Sequence, residues 1–235
     1  MQYIPPSTFR GHDIEPLLAN RGLTADWFTT DDFDPHSTAN VARVTYGETA
    51  AKIPFHYRSA RTTLPQLRTW IERLVADAKT AQAQRGAPIA SITHGPSLLL
   101  LGVTGVGKTY EAYGALRELA VTGVYGQWAV TTAADLYAAL RPRHGVDSEV
   151  EFARYRNARL LLVDDLGADR KPTEFTEEIN FRLINHRYEN HLPTLLTSNV
   201  GPKELAARLG DRVTSRLAEM CERISLKGDD RRRAA

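Results

Sequence analysis

The amino-acid sequence predicts an α/β fold in which a parallel sheet is covered by helices on both faces. Apolar runs typical of strands alternate with stretches of helical periodicity, and two of these runs are apolar at nearly every position. Continuous apolar runs are typical of parallel strands, because helices cover both faces of such a sheet. We expect a helix over 65–84 and strands over 97–101, 126–131, 160–163 and 194–197.

The N-terminal region has a different character. Residues 1–50 contain three Arg against seven Asp and Glu, a formal charge of −4, and show little periodicity. We interpret 1–52 as a short acidic extension, loosely folded or ordered by a partner, and 53–235 as one α/β domain. Aromatic residues among the acids favour a partner-docking segment, although a plain tail is the alternative. These residues are Tyr3, Phe9, Trp27, Phe28 and Phe33.

Composition narrows the class of protein. The chain has 235 residues, of which 42% are hydrophobic, so it can bury a full core. Its single cysteine, Cys221, allows no disulfide framework, and a reducing, cytoplasmic location is expected. No apolar run approaches the roughly 18 residues of a membrane span, and the N-terminus lacks a secretory signal pattern. The net charge of +2 is too small to indicate an anionic partner.

Residues 102–109, GVTGVGKT, follow the first strand and match the phosphate-binding loop pattern GxxxxGK[ST]. Glycines allow a tight curl in which several N–H groups converge on phosphate oxygens, and the next helix directs its positive end there. Lys108 is expected to reach the β- and γ-phosphates, and Thr109 to coordinate Mg²⁺. The sequence therefore predicts binding of a nucleoside triphosphate. The expected contacts are Gly102, Thr104, Gly105, Val106, Gly107, Lys108, Thr109 and Tyr110.

The strand over 160–163 ends in two acids, Asp164 and Asp165. Ligands of open α/β sheets bind at the carboxyl ends of the strands, so we expect both carboxylates beside the phosphates. Asp164 would hold Mg²⁺, and Asp165 would orient and deprotonate the attacking water. The alternative is that Asp-Asp-Leu-Gly merely forms the turn that ends the strand.

Two further candidates lie downstream. The strand over 194–197 leads to Asn199, whose amide is expected to position the attacking water with Asp165, although a helix cap is the alternative. Arg212 and Arg216 are four residues apart and share a helical face, which is also typical of a solvated surface.

In this order, the segments GVTGVGKT, LLLVDDLG, LLTSN and DRVTSRL resemble the AAA+ ATPases of the DnaC/DnaI helicase-loader and IstB transposition-helper group. The resemblance runs from about residue 53 to 232. It implies a P-loop NTPase fold with an AAA+ core and no separate lid domain, with ATP and Mg²⁺ as cofactors. Asn199 then corresponds to sensor 1, Arg216 to the arginine finger that completes a neighbouring subunit's site, and Arg231 to the sensor 2 arginine.

The resemblance also implies partners: self-association through AAA+ interfaces, a replicative DnaB-type helicase and single-stranded DNA, in a helicase loader of DNA replication. An IstB-like ATPase that assists a transposase on duplex DNA is the alternative. The candidate DNA contact is a basic stretch with interleaved tyrosines, 137–159, for which a solvated face is the alternative. It contains Tyr137, Arg141, Arg143, His144, Arg154, Tyr155, Arg156 and Arg159.

The chain departs from the family pattern in three ways. No cysteine precedes Cys221, so a zinc module is not expected, and the N-terminal segment is short. In the resemblance, Lys108 and Thr109 correspond to Walker A and Asp164 and Asp165 to Walker B, and the second Walker B acid is Asp165 rather than the Glu usual across AAA+ proteins. By position, the segment 53–58 is a candidate for contact with the base.

Overall fold

The structure is a computed structural model that describes residues 1–9, 13–145, 147–168 and 172–228. The chain forms two compact units. We name them the helical unit, Met1–Thr93 with Tyr110–Gln127, and the sheet unit, His94–Thr109 with Trp128–Ala235. The boundary between them falls inside one helix, after Thr109.

The helix predicted over 65–84 is confirmed as α4 of the helical unit. Pro65 lies in its first turn, where a missing N–H leaves no hydrogen bond unmade, and Gly86 ends it with a left-handed φ of 62°. Among the described residues no helix is both long and apolar enough to cross a membrane. The helices here are α1 (Glu15–Ala19), α2 (Ala25–Thr29), α3 (Thr38–Ala50), α4 (Pro65–Arg85) and most of α5 (Lys108–Ala120), with 3₁₀ turns at Pro6–Phe9 and Phe55–Tyr57.

The described part of 1–52 is folded, in contrast to the loose extension that its composition suggested. Phe9 makes edge-to-face contacts with Phe28 and Tyr46, with ring centroids 5.5 and 5.7 Å apart. Arg43, in α3, is fully buried and donates a hydrogen bond to the Phe28 carbonyl at 3.0 Å. Composition does not distinguish aromatic residues that form a core from those that dock a partner. The division of the chain at residue 52 stays a prediction.

The sheet unit contains five strands in the order β2-β3-β4-β1-β5, and each neighbouring pair is parallel. This confirms the predicted parallel α/β architecture. The strands β1, β3 and β4 are buried at every position, as strands covered on both faces require. The strands are β1 (Ser97–Leu101), β2 (Trp128–Thr132), β3 (Leu160–Asp164), β4 (Thr194–Ser198) and β5 (Cys221–Ser225). The helices that complete the unit are α6 (Ala133–Leu140), α7 (Ser148–Arg156), α8 (Glu174–Glu189), α9 (Pro202–Leu209) and α10 (Asp211–Met220).

The edge strand β5 was not predicted from the sequence. Only Cys221 and Ile224 are buried in its segment CERIS, and the charged residues between them obscure the two-residue period of a strand. In the structure β5 pairs along the whole of β1. The chain that leaves β5 therefore runs beside the loop that leaves β1, and the Leu226 N–H donates to the Leu101 carbonyl at 2.7 Å.

A buried arginine ties α7 to the sheet. Arg187, in α8, donates to the carbonyls of Tyr155, Arg156 and Ala158 at 3.1, 3.2 and 2.7 Å, where α7 ends. Its Nε donates to the Thr194 hydroxyl at 2.7 Å, at the start of β4. A cation at the carbonyl end of a helix satisfies acceptors that have no partner within the helix. This contact fixes the position of α7 relative to β4.

Candidate nucleotide-binding site

The loop GVTGVGKT connects β1 to α5 in a tight curl. Gly105 and Gly107 have φ values of 85° and 101°, a left-handed conformation that favours glycine. Gly102 is needed for a different reason, because a Cβ there would lie 2.6 Å from the Leu226 carbonyl oxygen. The strand that sequence reasoning missed thus explains the first glycine of the motif.

Lys108 is the first residue of α5 and is only 5% exposed. Its ammonium donates to the carbonyl oxygens of Gly102 and Val103 at 2.8 and 3.0 Å, so the cation lies within the curl of the loop. The amino end of α5 adds partial positive charge at the same place. Together they have the charge and the N–H donors of a phosphate site.

The remaining residues predicted for the loop differ in their surroundings. Val106 is buried, whereas Thr104 is exposed. Tyr110 belongs to the helical unit, where its hydroxyl donates to the Ser59 carbonyl at 3.3 Å. Contact of Tyr110 with a nucleotide stays a prediction.

Asp164, at the end of β3, connects the loop with the neighbouring strand β4. Its Oδ1 accepts hydrogen bonds from the hydroxyls of Thr109 at 3.1 Å and Thr197 at 2.5 Å. Burial raises the pKa of this carboxyl and the adjacent Asp165 adds to the effect, whereas the two threonine hydrogen bonds and Lys108 oppose it. A buried carboxylate is stabilised by a cation. Asp164 and Thr109 therefore form an oxygen donor pair that fits Mg²⁺.

Asp165 follows Asp164 and is exposed, with a left-handed φ of 56° that non-glycine residues rarely adopt. Two bonds to β4 hold this conformation. The Asp165 N–H donates to the Thr197 hydroxyl at 2.9 Å, and the Leu166 N–H donates to the Thr197 carbonyl at 2.8 Å. A backbone strained in this way is typical of functional sites. The exposed carboxylate is available to act as a base.

Asn199 directly follows β4 and carries an unusual acceptor. Its Oδ1 is buried and accepts no hydrogen bond within the part of the chain that the structure describes. A buried acceptor without a donor costs free energy, so it points to a ligand or a bound water. The alternative of a helix cap does not apply, because Gly201 is the N-cap of α9 and no side chain caps this helix.

The two arginines of α10 share one face, as predicted, and this face contacts α8. The Arg216 guanidinium lies 4.5 Å from the centre of the Tyr188 ring, and its Nε donates to Asn185 Oδ1 at 3.3 Å. Arg212 lies over Phe181 at 5.9 Å. The Arg216 side chain is 37% exposed, so the described contacts hold it without enclosing it.

The basic stretch 137–159 comprises the end of α6, a connecting loop and α7. Tyr137 is buried and its hydroxyl donates to Asn180 Oδ1 at 2.8 Å, so its ring is not exposed for stacking on a base. Arg154 is paired with Glu151 at 2.9 Å, which reduces the charge available to a phosphate. Exposed basic residues remain in the loop, namely Arg141, Arg143 and His144.

Two further residues are Arg231, which was predicted for the site, and Thr197, which was not. Arg231 lies outside the described residues, so its role as sensor 2 stays a prediction. Thr197 had no assigned role, yet its hydroxyl joins Asp164 to β4. The signal was present in LLTSN, because a hydroxyl at the carboxyl end of a strand can bond a carboxylate that ends the neighbouring strand.

Comparison with known proteins agrees with this site. A protein-family model described as IstB-like ATP binding protein matches residues 61–235. The insertion sequence IS21 putative ATP-binding protein of Pseudomonas aeruginosa is 27% identical over 190 residues, which are 75% of this chain and 71% of that protein. The replicative helicase loader DnaI of Bacillus subtilis is 27% identical over 150 residues, which are 59% of this chain and 48% of that protein. The matched part thus spans about half the length of DnaI.

Solved structures show the same fold. The crystal structure of the DnaC helicase loader matches with a TM-score of 0.58 and 23% identity, over 74% of this chain and 100% of that one. The crystal structure of DnaI matches with a TM-score of 0.56 and 21% identity, over 80% and 93%. The predicted P-loop NTPase fold with an AAA+ core is confirmed.

Proposed function

This chain belongs to the family of IstB-like ATP-binding proteins, and we propose that it is an ATPase that loads a replicative DNA helicase. It binds ATP with Mg²⁺ and single-stranded DNA, and it hydrolyses ATP at an interface between subunits. The observation that carries the ATPase part of the proposal is the pair of hydroxyl bonds to Asp164, whereas the loader part rests on the similarity to the helicase loader DnaI. The two hydroxyl bonds connect the phosphate loop, the acidic strand and the strand that leads to Asn199.

Each residue has a role that its surroundings support. The loop N–H groups and Lys108 orient the β- and γ-phosphates, and Thr109 with Asp164 holds the metal, which neutralises phosphate charge when bound. A water oxygen attacks the γ-phosphorus and the bond to the ADP oxygen breaks. Asp165 accepts the proton of that water, and the free Asn199 Oδ1 accepts its hydrogen bond.

The site also requires a contribution from a neighbouring subunit. Arg216 is bound to Asn185 and Tyr188 in its own chain, but more than a third of its side chain is exposed. We propose that this exposed arginine reaches a γ-phosphate bound by another copy. Such an arginine contributes on the order of 10³ to 10⁵ in rate in related systems. Isolated subunits are therefore expected to bind ATP and hydrolyse it slowly.

Single-stranded DNA binding is supported by the exposed basic loop between α6 and α7. Arg141, Arg143 and His144 are exposed there, and Tyr155 is half-buried on α7. Cations that neutralise phosphates, together with an aromatic ring, are sufficient to bind single strands without reading sequence.

A transposase-assisting ATPase is the second candidate, and one observation favours it. The alignment with the IS21 protein covers 75% of this chain and 71% of that protein, whereas the alignment with DnaI covers 59% and 48%. The nucleotide site is the same in both candidates, so only the partner and the form of DNA distinguish them.

The test is complex formation with purified partners. The chain is mixed with the replicative helicase and, separately, with a transposase from the same organism, with and without ATP, and complexes are separated by size. We expect an ATP-dependent complex with the helicase that Lys108→Ala does not form. A complex with the transposase and none with the helicase would overturn the loader proposal and leave the ATPase proposal standing.

A further inference from the structure

The helical unit carries two features that neither its core nor the nucleotide site explains. One is the exposed segment Asp-Asp-Phe-Asp at 31–34, which we name the acidic loop. The other is a cavity whose lining includes Arg58 and Arg117. We propose that Phe33 in the acidic loop of one copy inserts into the cavity of a second copy of this chain, as a head-to-tail contact.

Phe33 is the first observation. It is 79% exposed, more than any other large hydrophobic side chain among the described residues. Its φ of 53° is a conformation that bulky residues rarely adopt. The Tyr3 ring stacks beside it with centroids 6.1 Å apart and fixes its direction. An exposed aromatic ring and a strained backbone both lower the stability of the folded chain. Their presence at Phe33 is therefore more readily explained by a binding contact than by a role in folding.

The acidic loop is held rigidly. Asp32 pairs with the buried Arg43 at 3.4 Å, and the Phe33 N–H donates to Asp31 Oδ1 at 3.2 Å. The His36 N–H donates to Asp34 Oδ1 at 2.8 Å. Carboxylates near the amino end of α3 are also stabilised by the partial positive charge of that helix end. This explains the three acids of the loop but not the exposed Phe33 ring. A preordered loop loses little conformational entropy when it binds.

The cavity is the second observation. It has a volume of about 850 Å³, in the range of sites that enclose a small ligand, and an aromatic ring with its neighbouring backbone fits such a volume. It is lined by Tyr46, Gly47 and Ala50 of α3 and by Phe55, His56 and Arg58. Phe55 is 75% exposed, and the Arg58 guanidinium lies 5.3 Å from the centre of its ring.

Charge makes the two features complementary. The acidic loop has three carboxylates in four residues. The cavity is lined by Arg58, Arg117 and Asp13, and Asp13 is paired with Arg61 at 3.9 Å, so the lining carries a net positive charge. Complementary charges of this kind set the orientation of a contact and speed its formation.

The position of the two features along α3 makes the contact intermolecular. The acidic loop lies just before the start of this helix, and the cavity is lined by residues of its last turns. The rise from the first residue of α3 to these residues is about 12 to 18 Å, which separates Phe33 from the cavity of its own chain. A contact between two different surfaces is head-to-tail and allows a row or ring of copies to form. It uses no residue of the phosphate loop, the acidic strand β3 or α10, and Phe33 lies outside the segment 53–58 that is a candidate for contact with the base, so its failure would leave the proposed function intact.

The test measures association by sedimentation velocity without nucleotide, over a series of protein concentrations. Phe33→Gly removes the ring, and glycine favours the φ at this position, so the variant is expected to fold at least as stably as the natural chain. Arg58→Glu reverses a charge in the cavity lining. Both variants should remain monomeric where the natural chain associates. Matched controls are Val150→Ala, another exposed apolar residue, and Arg85→Glu, an exposed arginine at the end of α4.

Mixing the two variants tests the head-to-tail geometry of the contact directly. Phe33→Gly retains an intact cavity and Arg58→Glu retains an intact acidic loop, so the mixture should form a complex of one copy of each and nothing larger. A monomeric natural chain, association of Phe33→Gly like the natural chain, or a mixture that stays monomeric would overturn the proposal. Loss of ATP binding in Arg58→Glu would also overturn it, because the cavity would then be a site for the base.

Discussion

The Thr109 hydroxyl donates a hydrogen bond to Oδ1 of Asp164 at 3.1 Å, which joins the phosphate loop to the end of β3. The same oxygen accepts from Thr197 on β4. The two threonines thus hold one buried carboxylate from both sides, and the Thr109 hydroxyl, which donates its proton to Asp164, keeps its oxygen lone pairs for Mg²⁺. The described side chains of the nucleotide site are therefore arranged around this carboxylate.

Lys108→Ala is expected to abolish measurable ATP binding. Its ammonium lies within the loop, bound to the Gly102 and Val103 carbonyls, and is expected to reach the β- and γ-phosphates. Isothermal titration with ATP would show a loss of at least about tenfold in affinity, and each tenfold is about 1.4 kcal/mol. Lys203→Ala, an exposed lysine at the start of α9, is the control. Retained affinity in Lys108→Ala would refute the assignment of the loop.

Asp164→Asn is expected to raise the melting temperature by a few degrees at neutral pH and to stop turnover. Burial raises the pKa of Asp164, so its protonated form is favoured in the folded state and stability is lost as pH rises through that pKa. Asparagine removes the cost of the buried charge. The gain should shrink as pH falls towards the usual pKa of 3.8, because the natural carboxyl is then protonated. Glu222→Gln, an exposed acid on β5, should show no comparable pH-dependent gain.

Asn199→Ala is expected to lower turnover without lowering stability. The Oδ1 of Asn199 is buried without a donor among the described residues, so its removal leaves no partner unsatisfied. Thermal unfolding and steady-state ATP hydrolysis measured on the same preparation separate the two effects. A clear fall in melting temperature would show that the amide is structural.

Asp165→Asn is expected to reduce turnover by about 10² to 10⁴, the usual contribution of a general base, while ATP affinity is retained. Asparagine tolerates the left-handed conformation that Asp165 adopts at φ 56°, so the backbone should be preserved. Single-turnover hydrolysis measures the step directly. If the rate is unchanged, another group takes the proton.

Binding of single-stranded DNA is expected to weaken as salt rises, and the double variant Arg141→Ala with Arg143→Ala should bind less tightly and with a smaller dependence on salt. The slope of log affinity against log salt should fall by about 0.7 for each lost phosphate contact. Fluorescence anisotropy with a labelled oligonucleotide measures both quantities. A slope that does not change with these substitutions would place the DNA contact elsewhere.

Helices and strands whose signals lie in contiguous residues could be predicted from the sequence. Contacts that depend on which strands are neighbours in the sheet could not. The helix α4 has proline in its first turn and glycine just after its end, and β1 is a continuous apolar run, so both were predicted within one residue. The segment LLTSN shows that Thr197 ends a strand, but its bond to Asp164 also depends on β4 lying beside β3, which is a matter of strand order. The edge strand β5 was missed because it is buried on too few positions to show its period.

The completion of the nucleotide site by a neighbouring subunit is tested by mixing Lys108→Ala with Arg216→Ala. Each variant alone should hydrolyse ATP poorly, because one lacks the phosphate cation and the other lacks the arginine contributed to its neighbour; Arg212→Ala is the control. In a mixed assembly some interfaces combine the intact loop of one variant with the intact Arg216 of the other. We predict that steady-state turnover of the mixture exceeds the sum of the two variants. Turnover no greater than that sum, in a mixture shown by sedimentation to contain both variants in one assembly, would contradict a shared site.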